Sequence, residues 1–207
     1  MRKEEKFMAN QYFDNTPDLE HEIKKFDFTL RKHNLNFISD SGVFSRQTID
    51  YGSRVLIEAI DFQNIPEGNI LDVGCGYGPI GLALAKEQKN RKVTMVDVNL
   101  RALDLAKKNA VNNDIENVDI FESDVYKNVG QKYALVVSNP PVRAGKSVVT
   151  AILEESKNYL EPQGELWIVL QKKQGAPSAK KLMNQTFGNV EIVTRAKGYY
   201  VLKSKLI

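Results

Sequence analysis

The sequence is poor in the residues that build covalent or metal-held scaffolds. It has one cysteine, Cys75, among 207 residues, so no internal disulfide can form. A lone thiol fits a reducing compartment. The only two histidines, His21 and His33, lack metal-ligand spacing, and no metal is expected. No segment approaches the ~18 consecutive apolar residues of a membrane span. The opening MRKEEKFMANQYF holds no apolar run of signal-peptide length. Internal repeats and low-complexity tracts are also missing. These absences argue against a disulfide-stapled secreted module and a helical membrane protein. The expectation is a soluble, cytoplasmic chain, monomeric and without membrane contact.

What is present is enough for a core. Hydrophobic residues make up 42% of the chain, and a domain commonly holds about 100–200 residues. One domain plus an appendage is expected, with residues 1–65 as an N-terminal extension and 66–207 as the main domain. The net charge of +3 is unevenly spread. Residues 1–45 carry 7 basic and 8 acidic groups, residues 46–126 carry 9 and 13, and residues 127–207 carry 13 and 5. An excess of +8 in the last segment suits a polyanionic partner; a solvated lysine-rich face is the alternative.

From residue 69 onward, short apolar runs alternate with amphipathic stretches. Strands are expected over 69–74, 93–98, 118–124, 133–139 and 165–171. Helices are expected over 79–89, 100–112, 148–159 and 178–187. Continuous apolar strands separated by helices imply a parallel sheet covered on both faces. The runs 190–195 and 199–205 are too close for a crossover, so they must pair antiparallel across Ala196-Lys197-Gly198. The fold class is therefore α/β, a doubly wound, mostly parallel seven-stranded sheet ending in an antiparallel hairpin. In the extension, FDFTL (26–30) and LNFIS (35–39) form a candidate hairpin across residues 31–34. Ser45 is the expected cap of a helix running to about Ile60, with Ile49 and Leu56 inward. Val43 and Phe44, in the loop between, need something to pack on, such as a bound ligand.

LDVGCGYGPIG (71–81) lies between the first strand and first helix of this sheet. Ligands of open α/β sheets bind beyond the strands' carboxyl ends, where glycines allow close backbone approach. Gly76, Gly78 and Gly81 satisfy G-x-G-x-x-G, and Asp97 follows at a spacing that a nicotinamide site also uses. A nicotinamide-dependent oxidoreductase is one reading. Three features favour S-adenosylmethionine: Gly74, which extends the run; Asp124, which could accept from an adenine amino group; and Asn139-Pro140-Pro141 closing the fourth strand. Each acid could instead be a helix cap or a solvated strand end. Cys75 reads as a buried filler, because no histidine stands in a motif to activate it.

Asn139-Pro140-Pro141-Val142 is the sharpest chemical clue. An exocyclic amine on a base is a weak nucleophile because its lone pair is delocalised into the ring. The Asn139 side-chain oxygen and the Pro140 carbonyl could each accept one N–H and aim the lone pair at a methyl donor. The prolines make the turn rigid and rich in carbonyls. Orientation then carries much of the rate, and no strong base is needed.

These residues resemble the class I methyltransferases, over about residues 66–207. The resemblance implies S-adenosylmethionine as cofactor, with Gly74, Gly76 and Gly78 around its methionine and ribose. It implies Asp97 on the ribose hydroxyls, Asp124 on the adenine, and Asp72 on the methionine amino group directly or through water. Phe44 is assigned to the cofactor site as well. VRAGK (142–146), DSGVFS (40–45) and the Tyr12–Pro17 stretch narrow the similarity to the methyltransferase small domain and to RsmC-like guanine-N2 methyltransferases of small-subunit ribosomal RNA. That implies ribosomal RNA or the small subunit as partner. Pro141, Arg143, Lys146, Lys172 and Lys173 are the expected substrate contacts, the cations through phosphates; ordinary loop lysines are the alternative. Protein-glutamine and adenine-N6 methyltransferases usually place an aromatic after the prolines, where this chain has Val142. The residue that stacks on the target is open, with Phe44 and Tyr12 as candidates. A non-catalytic RNA-binding protein on the same fold is a further alternative.

Overall fold

The computed structural model describes residues 22–40 and 48–207. Five parallel strands form the sheet's body: β3 (Ile70–Val73), β4 (Val93–Asp97), β5 (Val118–Glu122), β6 (Tyr133–Ser138) and β7 (Leu160–Gln171). β8 (Glu191–Ala196) and β9 (Tyr199–Lys205) close it antiparallel, in the order β5-β4-β3-β6-β7-β9-β8. Helices α1 (Tyr51–Ala59), α2 (Pro79–Glu87) and α3 (Leu100–Asn112) share one core, with Leu56, Leu82 and Leu103 buried in it. Helices α4 (Lys146–Tyr159) and α5 (Ala176–Phe187) share a second core, through Ile152 and Met183. β3, β4 and β6 are buried at every position, as strands covered on both faces must be. Among the described residues, no helix is long and apolar enough to cross a membrane.

The doubly wound reading holds, with three local corrections. α1 starts at Tyr51, not near residue 45, which lies outside the described residues. Its cap is Asp50, whose Oδ2 accepts the Ser53 N–H at 3.1 Å. Ile49 is buried as expected, but ahead of the helix. The hairpin β1 (Lys24–Leu30) and β2 (His33–Ser39) turns on two residues, not four. Arg31 and Lys32 both take positive φ (47° and 67°), the two-residue turn that suits strand twist. Arg31 then reaches back with Nη1 to cap the end of α1 at the Ile57 and Ile60 carbonyls (2.6 and 2.8 Å), and it pairs with Glu87. β7 begins at Leu160, since Leu160 already pairs with Tyr133 before a register shift.

The extension is bonded into the domain in a way that periodicity does not reveal. Asn109 on α3 and Asn113 at its C-cap, four residues apart, act as a substitute strand for the outer edge of β2. Asn109 accepts from Ile38 N (2.7 Å) and donates to Ile38 O (3.0 Å). Asn113 does the same at Asn36, at 2.8 Å in both directions. Four helical residues rise about 6 Å and two strand residues about 6.8 Å, so two carboxamides at i, i+4 match backbone at j, j+2. Asn109 also donates to the Tyr77 carbonyl at 2.9 Å, tying the hairpin to the glycine turn. Phe26 and Phe37 pack edge-on against Tyr77 (6.4 and 5.9 Å between ring centroids).

Asn109→Ala strands one amide and two carbonyls. It should lower stability by about 2–3 kcal/mol in urea unfolding. A loss under about 0.5 kcal/mol, as for an ordinary surface change, would contradict this bonding.

Candidate active site

The site grows from the break in the sheet. β3 neighbours β4 on one side and β6 on the other, so the loops leaving β3 and β6 diverge over a crevice. The Gly74 and Cys75 N–H groups both reach the Val96 carbonyl (2.8 and 3.0 Å) as the chain turns off β3. Gly74, Gly76 and Gly78 all take left-handed φ (73°, 56° and 99°), which side chains rarely adopt. A Cβ on Gly74 would meet only the Pro141 Cδ, at 3.8 Å, so this glycine faces the Asn-Pro-Pro turn across the cleft. Gly81 serves packing instead: a Cβ there would lie 2.6 Å from Met95.

Three strand-end carboxylates border this turn. Asp97, buried at the end of β4, accepts the Gly76 N–H on Oδ2 (2.8 Å) and the Asn99 N–H on Oδ1 (2.9 Å). Burial raises its pKa, and these backbone bonds oppose the rise. Asp72 is fully buried on β3. Its Oδ2 accepts the Gly81 N–H (2.8 Å), and its Oδ1 has no partner. Burial pushes the Asp72 carboxyl up to about 7. Asp124 is exposed beyond β5. Gly74, Asp97, Ser123, Asp124, Pro141 and Ile152 help line a cleft that is partly open to solvent. Cys75 is buried beside it; burial raises its thiol well above the ordinary value, so it is a poor nucleophile.

The Asn-Pro-Pro turn forms the opposite wall. Ser138 ends β6 with its hydroxyl donating to the Val73 carbonyl (2.7 Å), which clamps the two diverging strands together. Asn139 follows, half-buried. Its Nδ2 donates to Asp50 Oδ2 (2.9 Å) and to Ser53 Oγ (3.0 Å). Pro140 is buried, and the Pro141 carbonyl accepts from Ala144 (2.9 Å) in the 3₁₀ turn Val142–Ala144. Gly145, at φ 112°, then releases the chain into α4.

Arg143 and Lys146 stand exposed after β6, and Lys172 and Lys173 after the neighbouring β7. The Lys172 N–H donates to the Gly198 carbonyl (2.8 Å), so the β8–β9 turn joins the same rim. That turn adds Lys197, whose Nζ lies 4.9 Å from the centre of the Tyr51 ring; Tyr51 in turn packs on Tyr199 at 5.7 Å. The acids thus gather at the ends of β3, β4 and β5, and the cations beyond β6, β7 and the terminal hairpin. Asp50, Ser53, Tyr51 and Lys197 are site-adjacent residues that sequence reasoning missed. An aspartate three positions ahead of a helix N–H is the signal that points to Asp50 and Ser53; Lys197 carries none beyond its place in a turn. Phe44 and Tyr12 lie outside the described residues.

The residues present fit S-adenosylmethionine. The unpartnered Asp72 oxygen suits a cationic donor, each Asp97 oxygen keeps a lone pair for a hydroxyl, and Gly74 and Gly76 leave room where a Cβ would project. A nicotinamide site explains the glycines and Asp97 but gives Asn139 no task. Strand order and turn chemistry together place the chain among the class I S-adenosylmethionine-dependent methyltransferases. More narrowly, it belongs to the methyltransferase small domain family, whose profile matches residues 34–203. It is 48% identical to the uncharacterized protein YbxB of Bacillus subtilis, over 97% of this chain and 100% of that one. It is 33% identical to the ribosomal RNA small subunit methyltransferase C of Haemophilus influenzae, over 89% of this chain and 56% of that one. The chain therefore spans about half the length of that longer relative. Among solved structures, the 16S rRNA N2 G1207 methyltransferase (RsmC) of T. thermophilus shares the fold, with a TM-score of 0.81 at 24% identity over 94% of this chain and 53% of that one.

Asp72 makes stability depend on pH. Its carboxyl titrates at about 7 when folded, against 3.8 for the unshifted group. The folded state therefore holds the extra proton between those values. The contribution is complete below about pH 4 and is lost as pH rises through about 7. The melting temperature of cofactor-free protein should fall across that window, and Asp72→Asn should flatten the fall. An unchanged slope in the variant would show that Asp72 does not carry the raised titration.

Proposed function

We propose that this protein transfers a methyl group from S-adenosylmethionine to the exocyclic N2 of a guanine in small-subunit ribosomal RNA. The observation that carries this reading is the Asn139 carboxamide beside the cleft, with its two N–H groups engaged by Asp50 and Ser53. Its oxygen is left to accept from a planar amine. The Pro140 carbonyl is the second acceptor, on a turn that two prolines and the Pro141–Ala144 bond hold rigid.

The cofactor supplies an electrophilic methyl on a sulfonium sulfur. Asn139 and Pro140 hold the two N–H bonds of the amine, leaving the nitrogen lone pair aimed across the cleft toward Gly74. As the N–C bond forms and the S–C bond breaks, the nitrogen becomes more acidic, so one N–H strengthens its bond to an acceptor before the proton leaves to solvent. Asp97 takes the ribose hydroxyls, Asp124 the adenine amino group, and Asp72, ionised, the methionine ammonium. Arg143, Lys146, Lys172 and Lys173 hold phosphates along the rim without reading sequence, and Pro141 packs against the target base. A guanine amine can reach Asn139 only when unpaired or turned out of its helix.

Two relatives support the substrate class. The H. influenzae relative is a ribosomal RNA small subunit methyltransferase, and the T. thermophilus structure is a 16S rRNA N2 G1207 enzyme in complex with AdoMet and guanosine. Val142, which starts a 3₁₀ turn where glutamine and adenine-N6 enzymes usually carry an aromatic, speaks against those substrates.

Incubation with labelled cofactor and ribosomal RNA should yield N2-methylguanine on nuclease digestion. Asn139→Ala should lower the rate by about 10²-fold or more while S-adenosylhomocysteine still binds. Label recovered in protein glutamine would overturn the substrate and leave the cofactor assignment standing. Arg143→Ala and Lys146→Ala should each weaken RNA binding and reduce the slope of log K against log salt by about 0.7. Unchanged slopes would remove both from the phosphate contacts.

A further inference from the structure

We propose that Asp50 and Ser53, on the first turn of α1, are positioning residues that lock the Asn139 carboxamide with its oxygen toward the substrate amine. This rests on the role given to Asn139 above. A carboxamide is nearly symmetric in shape, so only its partners decide which end faces the substrate. Asp50 Oδ2 and Ser53 Oγ, 2.9 and 3.0 Å from Asn139 Nδ2, make that choice. In the flipped state, the Asn139 oxygen would face the Asp50 carboxylate. Its NH₂ would then face the substrate NH₂, donor against donor. Neither acceptor gains an N–H, and methyl transfer loses one of its two holds on the nitrogen.

The arrangement exceeds what a helix cap requires. Capping α1 needs one acceptor for the Ser53 N–H, which Asp50 Oδ2 supplies at 3.1 Å. The same oxygen also takes Asn139, 89 residues away. Ser53 is 4% exposed, and its hydroxyl lies on the helix face turned to the strand end rather than to solvent. Gly52 between them lets the turn sit this close. A Cβ there would lie 2.7 Å from the Tyr199 ring and 2.9 Å from Asp50 Oδ2. The Tyr199 hydroxyl in turn accepts from Gln171 (2.7 Å) at the end of β7. The first turn of α1 is therefore wedged between the end of β6 and the terminal hairpin, with its position set from both sides.

The test compares Asp50→Ser, Asp50→Asn, Ser53→Ala and Asn139→Ala in steady-state methylation of ribosomal RNA. Serine at 50 still caps the helix but is too short to reach Asn139; asparagine at 50 keeps an oxygen at the same reach without the charge. Asp50→Ser should lower kcat about tenfold, with the KM for S-adenosylmethionine and the melting temperature unchanged. Asp50→Asn should stay within about threefold of wild type, and Ser53→Ala, which preserves the cap, should fall between them. In nitrogen-15-labelled protein, the Asn139 side-chain NH₂ should exchange slowly with solvent in wild type and fast in Asp50→Ser. Asp50→Ser and Ser53→Ala at wild-type kcat with Asn139→Ala inactive would overturn the inference alone. An active Asn139→Ala would overturn the reading of Asn139 beneath it. Should Asp50→Ser unfold, the kcat and NH₂ exchange of Ser53→Ala decide the matter.

Discussion

Everything the site does follows from one constraint: neighbouring parallel strands β3 and β6 are followed by loops that leave the sheet in opposite directions. β3 hands its chain to the glycine turn and α2, on the side of the first core; β6 hands its chain to the Asn-Pro-Pro turn and α4, on the side of the second. The Ser138 hydroxyl on the Val73 carbonyl holds the strand ends together below. Gly74 and Pro141 face each other above, 3.8 Å from the Cβ that glycine omits to Pro141 Cδ.

The two walls differ in how they are made rigid. The glycine turn is held from behind by the N-terminal hairpin, through Tyr77 and the Asn109 amide, and from the front by Asp97, which bonds Gly76. Asp97 and Asp72 bear the cost of burial as raised proton affinity, a strain that a cationic or hydroxyl-bearing ligand would relieve. The Asn-Pro-Pro wall is held by its own prolines and by α1 from above. The extension thus braces both walls: its strands the glycine turn, its helix the Asn-Pro-Pro turn.

Much of this was legible in the sequence. Burial on both faces makes parallel strands read as unbroken apolar runs, so β3 to β7 stood out, and the short spacing of residues 190–205 forced the terminal hairpin. The glycines, Asp72, Asp97, Asp124 and Asn139 converge because strand ends of one sheet must converge. What escaped were partnerships over long separations. Asn109 and Asn113 look like surface helix residues until β2 lies beside them. Asp50 looks like a cap for its own helix, and its second bond to Asn139 depends on how α1 crosses the sheet. Serine before an apolar stretch is a common helix start signal, which favours Ser45, but Asp50 is the residue whose carboxylate reaches a helix N–H three positions on. Lys197 looks like a turn residue, and only the pairing of β7 with β9 brings its turn beside Lys172.

The most direct measurement is a crystal structure with S-adenosylhomocysteine and guanosine. The geometry predicts the sulfur over Gly74, the ribose on Asp97, and the guanine N2 within hydrogen-bonding distance of both Asn139 Oδ1 and the Pro140 carbonyl. A nucleoside bound elsewhere, or an Asn139 oxygen turned toward Asp50, would contradict it.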